Sequence, residues 1–401
     1  MVPKNDNKVV DPHSLPRLLY VGDVPIQAAS GGSILLYRLL QNYPASRLRV
    51  VESNLSLPHS QNRLPEVTYD RIYLGPTRPL YTRFRDLYSL ILYQVAELHA
   101  FRLNKIVKQF RPDAILTVPW GYSWRTAATV ARQHKLPLQL IVHDHTPLYY
   151  DQFPQFIQQK IIADFKQVYQ QAQSCFCVSP YMKQQYQAEF EKSSTVLYPI
   201  QPLDTPVYEH PPEEKTESNR QLRVAYAGSV DSPAYARCLT ALAEALRTIN
   251  GQLVIFSSAS INLDADNINA HPFIPYKELL PTLRAEADAL FVPMSFEPNE
   301  KLNMSIAFPT KIADYTMTGL PLLIYGPSYC SAVQWAKENP GVAEIATKTD
   351  GSDLIPAVQK LADPHYRHEL GCQGLKIGRS YFSHNSVTGK YYQAIQAVST
   401  S

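Results

Sequence analysis

From residue 17 onward the sequence alternates short apolar runs with longer amphipathic stretches, and it does so in two series. Strands buried on both faces carry continuous apolar runs, so this alternation describes parallel sheets covered by helices on either side. The first series offers RLLYVG, LRVVES, YDRIYLG, DAILTVP, PLQLIV, SCFCVS and STVLYPI as strands. Between them lie GGSILLYRLL, with an apolar stripe of Leu35, Leu36, Leu39 and Leu40, and residues 80–110, where Leu87, Leu90, Ile91, Val95 and Leu98 recur at helical spacing. Residues 201–220 hold four prolines and many charges without periodicity, as a linker would. The second series follows with LRVAYAGS, GQLVIFSS, ALFVPMS and LPLLIYG as strands, and SHNSVTGKYYQAIQAV ends the chain as a helix. The expectation is an α/β protein of two Rossmann-like parallel-sheet domains facing a cleft, residues 1–200 and 221–383, joined by the linker 201–220.

Length agrees, since 401 residues exceed what one core usually serves. A formal net charge of +3 gives little support to a nucleic-acid binder, and none is expected as a partner. The opening MVPKNDNKVVDPHSLP lacks the apolar core of a secretory signal, and no apolar run approaches the roughly 18 residues of a membrane span. A cytoplasmic protein is expected. Its five scattered cysteines read as reduced, packed thiols rather than a metal or redox site.

In open parallel sheets ligands bind beyond the carboxyl ends of the strands, which directs attention to four loops. Gly31-Gly32-Ser33 opens a helix after the first strand; it either lets a ligand's phosphate approach bare amides or is a plain loop-to-helix turn with Ser33 near the cap. In the second series, FPTKIADYTMTGLPLL begins a helix at Pro309, after Phe308. Amides near Thr310 and Lys311, the helix dipole and the lysine charge suit a diphosphate without a metal. Asp314, on the same face one turn on, suits ribose hydroxyls, and Gly319 suits the turn into the next strand. An ordinary capped surface helix with a Lys/Asp pair accounts for the same spacing. His143-Asp144-His145 ends another strand, where a histidine can donate to a developing charge or a sugar hydroxyl and a neighbouring carboxylate can raise its pKa. The aromatic loop from Trp120 through Tyr122 to Trp124 offers faces for sugar rings, or packs on its own domain. Asp264 and Asp266 form an Asp-x-Asp that is out of place for a metal site, and no metal is expected. Arg78, Arg83 and Arg85 among Tyr81, Phe84 and Tyr88 read as a solvated helix face or as a patch for a membrane surface.

FPTKIADYTMTGLPLL, VAYAGS, LIVHDH, the Gly31-Gly32 loop and the closing helix together resemble the family 4 glycosyltransferases of GT-B fold. That resemblance implies a retaining transfer of sugar from a nucleoside-diphosphate donor, UDP or GDP type, to a glycan, lipid-linked or small-molecule acceptor, with no cofactor. Taken with the loop readings above, it points to donor contacts from Gly31, Gly32, Gly228, Ser229, Phe308, Pro309, Thr310, Lys311 and Asp314 and catalytic roles for Lys311, His143 and Asp144, while the aromatic loop and the strand end offer Trp120, Tyr122 and His145 as acceptor contacts. The terminal helix, 384–401, is expected to pack back on the first domain. The family's E-x7-E places its second acid at Asp314 but its first at Ile306, which cannot bind a polar group; Glu297 and Glu300 are out of register. A non-catalytic nucleotide-sugar or glycan-binding scaffold is the alternative this departure suggests. A dinucleotide oxidoreductase is disfavoured, since neither first-strand loop carries G-x-G-x-x-G.

Overall fold

A computed structural model of the chain describes residues 14–28, 31–55, 62–146, 153–213, 221–230, 232–257 and 265–399. The described residues divide into two compact units: those up to Tyr198 with those from Asn385 on, and Pro199–His384.

The first unit is built on seven strands, β1 Leu18–Gly22, β2 Leu48–Ser53, β3 Thr68–Ile72, β4 Ala114–Thr117, β5 Leu138–Val142, β6 Ser174–Cys177 and β7 Thr195–Val196. All pair in parallel, in the order β3-β2-β1-β4-β5-β6-β7. β1, β4 and β5 are buried along their whole length, in keeping with their mostly apolar sequences. β3 closes one edge and is largely exposed, in keeping with its polar Thr68, Asp70 and Arg71. The chain leaves β3 to return beside β1 as β4, so the strand order reverses between β1 and β4. The helix His384–Ser399 belongs to this unit: Tyr391 packs on Phe176 with ring centres 5.1 Å apart, and Tyr392 meets Tyr43 edge-on at 5.8 Å.

The second unit repeats the plan with β8 Arg223–Ala227, β9 Gln252–Ser257, β10 Ile268–Pro272, β11 Ala289–Pro293, β12 Leu322–Tyr325 and β13 Ala343–Ala346, all parallel, in the order β10-β9-β8-β11-β12-β13. Here the order reverses between β8 and β11. Two of these strands escape the sequence pattern, because β10 is an exposed edge with sequence INAHP and β13 is only AEIA. The stretch expected as a linker is described as far as residue 213, and it lies along this unit rather than free of it. Gln201 donates to the Phe382 carbonyl at 2.8 Å, and Arg284 stacks over Tyr208 at 3.9 Å and donates to the His210 carbonyl at 3.1 Å. Residues 214–220 lie outside the described residues.

Candidate functional site

In the second unit β8 ends at Ala227, beside the reversal of strand order, and the chain must turn there. The Tyr226 hydroxyl donates to the Ser229 carbonyl at 2.6 Å, and the Gly228 N–H donates to the Phe256 carbonyl at 2.9 Å. Gly228 has φ +152, and a Cβ at that position would stand 2.7 Å from both Cε and Nζ of Lys311. Only glycine leaves room for the lysine to lie on the bare backbone turn. The ammonium is 5.1 Å from the centre of the Tyr226 ring, within cation–π reach. Tyr315 fastens the arrangement from the same helix, its hydroxyl accepting the Ala227 N–H at 2.9 Å.

Lys311 is half-buried. Loss of water pulls its ammonium down from 10.5 to about 8, against the opposing influence of the Asp314 carboxylate, which raises it. The lysine therefore stays charged at pH 7 but lies close to titration, ready for an anion that would hold its proton.

The helix Lys311–Tyr315 has only five residues, and Thr310 caps it without a side-chain hydrogen bond. So short a helix aligns few peptide dipoles, so the expected dipole contribution gives way to the lysine charge and the exposed turn at Gly228. Phe308 also departs from expectation. It is buried against Trp335 and Phe382, with ring centres 5.8 Å away in each case, and so anchors the loop instead of facing a ligand. Pro309 and Thr310 are half-buried beside it, and Ser229 is exposed. Ile306 ends the helix Lys301–Ile306 with its side chain buried, while Glu297 is ion-paired with Arg237.

Gly228→Ala pushes a methyl group into the place of the lysine's flexible end. The expected result is a folded protein whose affinity for a nucleoside diphosphate falls on the order of tenfold in calorimetric titration, one displaced charged hydrogen bond. Parental affinity would detach the turn from the site.

In the first unit a pocket of about 260 Å³ opens where the strand order reverses, between the ends of β1, β4 and β5. Gly32, Trp120, His143 and Asp144 line it, with Val24 and Pro25 completing one wall. That wall is fixed by Tyr20, whose hydroxyl donates to the Val24 carbonyl at 2.6 Å, and by the buried Glu52, which accepts the Ile26 N–H at 3.0 Å and pairs with Arg63 at 2.6 Å. Gly31 occupies the helix cap at φ +58 with no side-chain bond, and Ser33, near the cap as expected, is largely buried on the pocket wall.

His143 packs on the first helical residue, its Nδ1 standing 3.0 Å from where a Cβ on Gly32 would lie. Burial pushes its pKa down to about 4. The expectation that Asp144 would raise it is overturned, because desolvation outweighs the neighbouring charge, and the ring is neutral at pH 7. His145 and Tyr122 are not pocket-lining either. His145 lies against Tyr186, Nδ1 3.2 Å from its hydroxyl, and burial again lowers it to about 4. Tyr122 is half-buried and hydrogen-bonded to Ser89, its hydroxyl pKa raised by burial. Of the aromatic loop, Trp120 stays 42% exposed at the pocket, whereas Trp124 is wholly buried between Tyr93 and Phe165.

A residue that sequence reasoning missed holds this loop. The carboxylate of Asp23, buried just after β1, accepts the N–H groups of Tyr122 and Ser123 and, at 2.6 Å, the Ser123 hydroxyl. It thereby caps the helix Ser123–His134, a job usually done by the residue at the cap itself. Gly121, at φ +67, has no Cβ; one added there would come within 2.4 Å of the carboxylate. The only hint in the sequence was an acid directly after a strand.

Asp266 is paired with Arg247 at 2.8 Å, and Asp264 lies outside the described residues. Among the described residues no three His, Cys, Asp or Glu side chains are grouped as a metal site, and no helix is long and apolar enough to cross a membrane. All five cysteines are free, four of them buried.

Residues 29–199 match Glycosyltransferase Family 4. No curated protein matches the sequence. The fold is shared with Anabaena HepE in complex with UDP-glucose, at TM-score 0.65 and 13% identity, covering 95% of this chain and 100% of that one. It is shared with the α,α-trehalose 6-phosphate synthase of Burkholderia multivorans, at 0.63 and 12%, covering 96% and 97%. The lipopolysaccharide outer core galactosyltransferase WaaB gives 0.58 and 12%, covering 94% and 98%. The family match thus covers most of the first domain, and along nearly its whole length the chain shares the GT-B architecture of these proteins.

Proposed function

We propose that the protein transfers a hexosyl group from a nucleoside-diphosphate sugar, of UDP or GDP type, to an acceptor hydroxyl in cytoplasmic glycoconjugate or polysaccharide synthesis, with retention and without a metal cofactor. The observation that carries this reading is the Lys311 ammonium lying on the bare Gly228 turn at the carboxyl edge of the second sheet. As the anomeric C–O bond breaks, its electron pair passes to the diphosphate, and the acceptor oxygen bonds to the anomeric carbon and gives up its proton. A charge already in place at the departing phosphate lowers that barrier. Asp314, beside the lysine, would accept from ribose hydroxyls, while Ser229, which follows Gly228, and Pro309 and Thr310, which precede the lysine, would add further donor contacts. In the first domain Gly31 and Gly32 would offer bare amides to a phosphate. The pocket of Trp120, His143 and Asp144 would take the acceptor, whether glycan, lipid-linked or small molecule. There the neutral His143 ring can exchange hydrogen bonds with a sugar hydroxyl, and Trp120 offers an exposed face.

Calorimetric titration with UDP and GDP tests the donor half. Asp314→Ala should weaken the preferred nucleotide on the order of tenfold, and a chelator should leave binding and transfer unaltered. Unchanged affinity in the variant would reassign the ribose contact, and a strict magnesium requirement would contradict the metal-free site.

Buried Ile306, standing where the resemblance places an acid, favours a second reading, a non-catalytic nucleotide-sugar-binding scaffold. Turnover on a panel of nucleotide sugars separates the two. Nucleotide binding with neither hydrolysis nor transfer would select the scaffold.

A further inference from the structure

Among the described residues, fourteen large apolar side chains are exposed, and seven of them fall between Tyr73 and Phe101. This segment runs through the helix Arg85–Val95, the 3-10 turn Ala96–His99 and the helix Ala100–Phe110. One stripe is buried against the domain: Leu92, Ala96, Ala100, Leu103, Val107 and Phe110. A second stripe runs outward at steps of four and three, through Leu87, Ile91, Gln94, Leu98 and Phe101 to Lys105 and Lys108, and every position is exposed. The helices thus carry a second apolar face after the first has been used for packing.

Charge says what the second face suits. Residues 71–108 contain seven arginines and lysines against two acids, although the whole chain carries only +3. Both acids are engaged, Asp86 with Arg85 at 3.2 Å and Glu97 with Arg125 at 2.6 Å. Cations lie beside aromatic rings: Arg83 is 4.8 Å from the centre of Phe84, and Arg102 is 5.6 Å from that of Phe101. Just before the helix, Tyr81 is 80% exposed. We propose that this face docks peripherally on an anionic lipid bilayer, with its aromatic and aliphatic side chains in the headgroup boundary and its arginines on lipid phosphates. A second copy of the chain is a poorer occupant, because pairing the face with itself sets like charges opposite one another. The proposal stands independently of the transferase reading.

Sedimentation with phosphatidylcholine vesicles, with and without about one third phosphatidylglycerol, tests it. The full chain should bind the anionic vesicles and leave the neutral ones. Joint Arg78→Glu, Arg83→Glu and Arg85→Glu should lower that binding by on the order of a hundredfold or more, at about fivefold per basic residue. Joint Leu87→Ser, Ile91→Ser and Phe101→Ser should lower it about tenfold or more at unchanged net charge. These side chains are exposed, so nucleotide binding should persist in each variant and report an intact fold. Equal sedimentation of either variant and the parent, or no binding to anionic vesicles, overturns the proposal. So does a dimer, seen by light scattering, that the serine substitutions dissolve.

Discussion

Lys311→Ala should lower turnover by on the order of a hundredfold or more, the usual loss when a group stabilising a developing anion is removed. The lysine lies on the Gly228 turn, so on the proposed placement of the donor a shortened side chain takes this cation from the departing phosphate. Activity near that of the parent would exclude Lys311 from the mechanism. The same residue should set a pH dependence. Its pKa of about 8 in the free protein means that the charge is mostly present at pH 7 and mostly absent at pH 9. A bound diphosphate favours the charged form, so donor affinity should fall about tenfold between those values, with a proton taken up on binding. Calorimetry at pH 8 in buffers of differing ionisation enthalpy reads that proton directly, and Lys311→Ala should abolish both effects.

A site adapted to a charged ligand is a liability when empty. In the folded protein the lysine is depressed below its unfolded value of about 10.4, so its charge opposes folding fully below pH 8. The opposition fades as pH rises from about 8 and is gone above about 10.4. Lys311→Met should therefore raise the melting temperature of the empty protein at pH 7 and gain less at pH 10, while losing nucleotide binding. A lower melting temperature at pH 7 would show that the ammonium is better solvated than its setting implies.

The second large effect is expected at Asp23. Asp23→Ala removes the acceptor for two backbone N–H groups and one hydroxyl at the start of the helix Ser123–His134. Loss of a cap costs about 0.5–2 kcal/mol and buried charged hydrogen bonds more, so a loss of roughly 3 kcal/mol is expected. For a chain of this size unfolding as one, that lowers the melting temperature by on the order of 3–4 °C. Trp120 and Gly121 precede this helix, so acceptor KM should rise more than kcat falls. Asp23→Asn, which keeps one carbonyl oxygen, should recover part of both. A variant with parental stability and KM would show that the loop is held by its own packing.

What could be read from the sequence follows a physical division. Central strands such as β5 and β11 are buried on both faces and announce themselves as apolar runs, and from them the two-sheet class follows. β10 and β13 lacked that signal because an exposed edge needs no apolar face and a four-residue strand has little room for pattern. At the site, Gly228 was visible as a glycine after a strand, and Lys311 and Asp314 as a Lys/Asp pair at a helix start. The directions of their neighbours were not. Phe308, Tyr122 and His145 turn toward partners distant in sequence, so spacing alone could not say that they pack inward. Asp23 was invisible for the same reason, the donors to its carboxylate lying about a hundred residues on. The neutrality of His143 comes from burial, which the adjacent Asp144 concealed.

A crystal structure with UDP bound is the most direct test of where the donor diphosphate is held. A diphosphate oxygen is expected at about 3 Å from Lys311 Nζ, over the Gly228 turn, with the ribose hydroxyls on Asp314. A nucleotide bound away from that turn, or one whose phosphates are held through a metal ion with Lys311 facing solvent, would contradict it.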